Sequence, residues 1–234
     1  MSSQFANFPA APRNPQCQKA FVILCNAHDT ASSLLDIFVT VRQNRGAMGT
    51  PTDEEQDLLR ACLMFASAGL DSMAKQLICN ALPAVVEADE AASKMFLSFV
   101  EKHLRTGDNL NYKVLASVVV DESPRERLLQ LYVDDLIAGS LQSVDALFKA
   151  GAAFDVKSSS ITTTPEDLRA TFLVRNQIVH EMDVDFDRPN RNRTPRAKQV
   201  MIDHTNRIFS VAAAFLISVD AKITAQPSLP EERR

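Results

Sequence analysis

The run Arg175-Asn176-Gln177-Ile178-Val179-His180 puts a guanidinium, a carboxamide and an imidazole within one short stretch. Together such groups can cleave RNA without a metal. Attack of a 2′-hydroxyl on its own phosphodiester needs a proton removed from that hydroxyl. It also needs the phosphorane charge stabilised and a proton delivered to the leaving 5′-oxygen. A histidine, with a free pKa of about 6.5, can serve as base or acid near neutrality. An arginine offers planar, bidentate donors to phosphate.

The helix that carries these residues decides whether they can meet a substrate. At roughly 100° per residue from Leu168, Leu168, Phe172, Val179 and Met182 fall along one line, flanked by Thr171, Val174 and Ile178. Arg175 falls among them, and a cation on an apolar stripe needs a partner or a task. Its stem can lie in the core while the guanidinium reaches the flank. Asn176 and His180 are four apart and share one flank. The structural alternative is an Arg175 paired with a buried acid such as Asp71, beside a surface histidine.

The segment from Leu168 to Val174, then Arg175-Asn176-x-x-x-His180, then Asp183-Val184-Asp185 and a long apolar helix with Phe209, Phe215 and Val219 resembles the HEPN family. It is most like the RiboL-PSP-type branch, in which an acid closes a helix such as Arg60 to Asp71. HEPN domains carry R-x(4–6)-H with a polar residue after the Arg, and Arg175, Asn176 and His180 fill those places. The resemblance spans about residues 18–222, although only the motif is specific. It implies an all-α, HEPN-like helical bundle with additional helices that forms a homodimer. It also implies a metal-independent endoribonuclease with its site where two motifs meet, with no cofactor and no metal. In that reading His180 transfers protons, Arg175 stabilises the phosphate and Asn176 orients. Products would be 2′,3′-cyclic phosphate and 5′-hydroxyl ends. Position 182 is Met182, so the H-x-Y extension of HEPN toxins silenced by tyrosine modification is missing.

The resemblance also implies an effector of bacterial defence or toxin-like growth control, with RNA and a silencing or sensor protein as partners. The alternatives are a non-catalytic HEPN-like module that binds RNA or protein, and a helical scaffold without nucleic acid.

Arg188, Arg191, Arg193, Arg196 and Lys198 follow the acidic residues Glu181, Asp183, Asp185 and Asp187 with no acid among them. One reading is a basic loop that holds RNA phosphates beside His180. Thr194, Arg196 and Lys198 would then open a helix whose free amides also attract anions. The other is a solvated linker whose charges pair with the acidic run. Asp71 could orient Arg175 or His180, and an acid such as Asp183 could act electrostatically on His180. The acidic run lacks the ligand pattern of a calcium loop or a zinc site. His28, His103 and His204 read as structural.

Bulk properties bound these readings. The 234 residues suffice for one sizeable core, and the net charge of −4 gives no global attraction to nucleic acid. Cys17, Cys25, Cys62 and Cys79 show no metal or C-x-x-C spacing and read as reduced thiols in a cytoplasmic protein. No stretch suggests a signal peptide or a bilayer span. Residues 1–16 and 226–234 read as flexible tails around one helical domain over 17–225, with the motif-bearing helices over 164–224.

Helical periodicity predicts elements over about 18–45, from a Thr52/Glu55 capping box to Pro83, and over 84–104. Residues 114–121 are open between helix and strand. Further helices are expected over 124–138 and 141–152, and from Pro165 through the motif. Residues 157–163 read as a loop, and the last helix is expected to start at Thr194-Pro195.

Overall fold

The structure, a computed structural model, describes Phe5 and residues 10–46, 49–106, 109–187, 189–190 and 192–225. Two long helices form its spine. Helix α1 (Pro15–Asn44) is capped by Asn14, whose Oδ1 accepts from the Gln16 amide at 2.9 Å, and buries Cys17, Ala20, Leu24, Ala27, Ala31, Leu35 and Phe38. These positions recur every three or four residues, so the stripe faces one neighbour. That neighbour is α2 (Asp53–Ala88), which starts with the expected capping box: the Glu55 amide reaches Thr52 Oγ1 at 3.4 Å and the Thr52 amide reaches Glu55 Oε2 at 2.9 Å. At the crossing the backbones approach closely. A Cβ on Gly69 would lie 2.3 Å from Ala27 Cβ, so only glycine fits there.

Helix α9 (Lys198–Thr224) closes the core against both, burying Met201, Ile208, Phe209, Ala212, Phe215 and Val219. Shorter helices surround this trio: α3 (Glu90–His103), α4 (Tyr112–Val119), α5 (Pro124–Ile137), α6 (Val144–Ala153), α7 (Ser158–Ile161) and α8 (Pro165–Glu181). A two-residue antiparallel ladder, Arg105–Thr106 with Asn109–Leu110, joins α3 to α4. Among the described residues the fold is all-α apart from that ladder and one isolated bridge between Val184 and Arg193.

Several local expectations need correction. Helix α2 continues through Pro83 to Ala88 and ends at Asp89, which caps α3. An interior proline costs a helix about 3 kcal/mol, but Leu82, Val85 and Val86 beside it are wholly packed in the core and keep the chain helical. The ambiguous segment after Asn111 is helical. Ser123, which with Glu126 reads as a capping box in the sequence, makes no side-chain cap, and Pro124 sets the first turn of α5. Residues 158–161 form one helical turn.

Asn14, expected in a free tail, is tied down. Its amide and that of Arg13 donate to the Asp220 carboxylate on α9, at 2.8 and 3.1 Å. Phe5 is also buried, its ring edge-on to Phe209. Residues 226–234 lie outside the described residues. Helix α1 is, by length and composition, long and apolar enough to cross a bilayer, contrary to the sequence expectation. Its apolar stripe is instead packed on α2.

Candidate functional site

Helix α8 builds the motif. It packs against α2, α9 and α6, burying Leu168, Thr171, Phe172 and Ile178. Leu173, Asn176 and His180, three and four positions apart, form the opposite, exposed face. Leu173 is 60 % exposed, an apolar side chain offered to solvent beside two polar ones.

Arg175 lies on the packed side of α8 and is partly exposed. Its Nη1 donates to Asn176 Oδ1 at 3.0 Å. Its Nε is buried and bonds to nothing among the described residues. Burial lowers the Arg175 pKa below the ordinary arginine value, while the nearby Asp71 carboxylate acts in the opposite direction. The stem therefore lies in the protein and the head turns toward the exposed flank, as the helical spacing implied.

Asp71 faces Arg175 through this electrostatic coupling and has two tighter partners. It accepts from the Leu141 amide at 2.6 Å and from Lys75 Nζ at 2.9 Å. It thus fastens the α5–α6 connection to α2. One turn earlier on α2, the Ser67 carbonyl accepts from Gln142 Nε2 at 3.1 Å. Ser67 Oγ and Gln142 Oε1 are buried without partners among the described residues, as is Arg175 Nε.

Asp183 has a different role from the expected one beside His180. It is 1 % exposed. Arg60 Nε, itself buried on α2, donates to Asp183 Oδ2 at 2.8 Å, and Arg196 Nε donates to the same oxygen at 3.0 Å. Arg60 also donates to the Thr194 carbonyl at 3.0 Å and to Asp57 at 3.0 Å. Met182 and Asp183 both adopt left-handed backbone, with φ of 51° and 61°. Such geometry costs a non-glycine residue about 1–2 kcal/mol. The two guanidiniums gripping Asp183 hold the turn that ends α8 one residue after His180.

Arg193 and Arg196, expected as free cations of a basic loop, are held by carboxylates. Arg193 pairs with Asp57, with Nη1 2.9 Å from Oδ2, and donates through Nε to the Met182 carbonyl at 3.2 Å. Arg196 engages Asp183 and also the Gln177 side chain at 3.0 Å. Lys198 lies over the Phe38 ring at 5.7 Å. Arg188 and Arg191 lie outside the described residues. Helix α9 starts only at Lys198, because the Arg196 amide is drawn to Gln56 Oε1 at 2.6 Å and the Thr194 amide to the Asp183 carbonyl at 2.7 Å. Those amides are therefore not free to bind anions. Arg196 pairs with an acid inside the acidic run, Asp183, and Arg193 with one on α2, Asp57. A shallow cavity of about 340 Å³ beside the motif is correspondingly acidic, lined by Glu181, Asp183, Asp185 and Asp187 with Phe186.

Of the other histidines, His204 Nδ1 lies 2.9 Å from the buried Thr171 Oγ1, which also accepts from Arg207 at 3.2 Å. His28 packs its ring against Phe209. Cys17 and Cys62 are free thiols pushed up to about 12 by burial. Among the described residues no three His, Cys, Asp or Glu side chains gather at metal-binding distance.

The geometry can thus offer an imidazole, a carboxamide and an arginine head on one exposed helix flank, backed by a rigid ion-pair turn. No known protein family, curated protein or solved structure matches the chain.

Proposed function

We propose that this protein is a metal-independent endoribonuclease of the HEPN type, active as a homodimer. The observation that carries the reading is the disposition of α8: His180 and Asn176 are exposed on one flank, and Asn176 holds the Arg175 guanidinium toward it. Leu173 on the same face supplies an apolar contact for a second copy of α8. Two such helices face to face would set two imidazoles and two guanidiniums around one phosphodiester.

In that arrangement one His180 takes the proton from the 2′-hydroxyl. The O2′–P bond forms while the P–O5′ bond breaks, and the other His180 protonates the departing 5′-oxygen. Arg175 stabilises the charge on the equatorial oxygens through charge-assisted hydrogen bonds. The products are a 2′,3′-cyclic phosphate and a 5′-hydroxyl. A role in bacterial defence or growth control, in the cytoplasm and under a protein partner, belongs to the same proposal and rests on the family resemblance.

One observation favours a second reading, a non-catalytic module that binds protein: Arg193 and Arg196 are held by carboxylates and the neighbouring cavity is acidic. The experiment that separates the two is cleavage of an end-labelled RNA in EDTA, with product ends analysed. Wild-type protein should yield cyclic-phosphate ends and His180→Ala should yield none. Equal cleavage by both, or none by either at any protein concentration, sinks the enzyme.

A further inference from the structure

A second cavity lies at the far end of α3, built by elements that take no part in the motif. It has a volume of about 440 Å³, within the range of roughly 300–1,000 Å³ usual for small-molecule sites. One wall is a ladder of rings. His103 stacks on Phe99 with centroids 5.1 Å apart at 22°, and Phe99 leans on Tyr132 at 4.9 Å and 37°. The lining carries cations from three elements, Lys102 from α3, Arg105 from the ladder strand and Lys149 from α6, with the His103 ring beside them. Lys149 is paired with Asp135 at 2.8 Å. Lys102 and Arg105 pair with no carboxylate among the described residues.

Tyr132 is the telling residue. It is only 4 % exposed, yet its hydroxyl bonds to nothing among the described residues, and the residue lines this cavity. Burial also pushes its pKa up to about 12, so it stays protonated and able to donate. An aromatic wall, a tyrosine hydroxyl able to donate and two unpaired cations make one composite binding surface.

We propose that this cavity binds a nucleoside monophosphate, its base against the His103–Phe99–Tyr132 wall and its phosphate on Lys102 and Arg105. The Tyr132 hydroxyl donates to a polar atom of the base or sugar. Aromatic stacking accepts any base, whereas the cations demand the phosphate. This site is independent of RNA cleavage and survives if that reading fails.

Calorimetric titration of the full chain with adenosine 5′-monophosphate, uridine 5′-monophosphate, adenosine and inorganic phosphate tests it. At least one nucleotide should bind saturably, at least about tenfold more tightly than adenosine or phosphate alone, since losing a charge-assisted contact is worth 1.4 kcal/mol or more. Lys102→Gln with Arg105→Gln should weaken that nucleotide at least about tenfold. Tyr132→Phe, which keeps the ring and the fold, should weaken it by a smaller factor, and His180→Ala should leave it unchanged. Helical circular dichroism of each variant checks folding. No saturable nucleotide binding, equal binding of phosphate or adenosine, or full retention in the double variant and in Tyr132→Phe overturns the site.

Discussion

Arg60 and Asp183 meet at 2.8 Å in the interior although 123 residues separate them in the chain. Both are almost completely buried, and Arg196 completes the cluster. This pair anchors the turn behind His180 to the central helix, and it makes the end of α8 a fixed platform.

Breaking the pair from one side should be severe. Asp183→Ala leaves Arg60 charged and buried with only peripheral acceptors, a loss of about 3–5 kcal/mol. Arg60→Met with Asp183→Leu, which removes both charges, should recover much of it. Urea denaturation of Arg60→Met, Asp183→Leu and the double measures the coupling. Strictly additive losses would show that the two side chains do not act as a unit.

Arg175 should behave oppositely if its task is chemical. Its Nε is buried without a partner and its face is apolar. Arg175→Met should therefore leave stability unchanged or raise it by about 1 kcal/mol, since an unsatisfied buried donor is removed. RNA cleavage should be abolished by the same change. A loss of more than about 1 kcal/mol would make Arg175 a structural ion-pair residue coupled to Asp71.

His180 and Leu173 give a paired test of the proposed homodimer. Both are exposed in the monomer, so His180→Ala and Leu173→Arg should each change monomer stability by no more than about 0.5 kcal/mol. Leu173→Arg should shift sedimentation toward monomer and lower cleavage. Wild-type oligomer retained by Leu173→Arg would remove α8 from the interface.

The α1–α2 crossing predicts overpacking at Gly69. A methyl there meets Ala27 Cβ at 2.3 Å, so Gly69→Ala should lose about 1–3 kcal/mol despite the better helix propensity of alanine. Adding Ala27→Gly should restore most of the loss, as read from thermal melts. A Gly69→Ala protein as stable as wild type would mean that the helices can part freely.

Acid should loosen the loop latch first. The Asp57 carboxyl is held below its ordinary range, chiefly by the hydrogen bond from Arg193 and further by Arg60, against partial burial. A depressed folded-state pKa stabilises fully above the unfolded value of about 3.9 and is lost as pH falls through the folded one. Lys222 runs the other way. Asp155 and then Asp89 raise its pKa, so its contribution is complete below about 10.4 and is lost as pH rises through the folded value. Urea midpoints against pH should show a shallower acid limb for Asp57→Asn and a shallower alkaline limb for Lys222→Met. Unchanged limbs would remove these pairs from the pH dependence.

The sequence by itself determined the helices and the placing of Arg175, Asn176 and His180 on α8, because periodicity and capping act within a few residues. Thr52 with Glu55, and the flank shared by Asn176 and His180, are local facts of that kind. Tertiary structure decided what the charges do. Nothing in the spacing of Arg60, Asp183, Arg193 and Arg196 says that they meet. A charge taken out of water must find a partner wherever the fold brings one. The same holds for α2 passing through Pro83, for Asp71 tied to Leu141, and for the His103–Phe99–Tyr132 wall. Each depends on residues far apart in the chain that share one small volume only after packing.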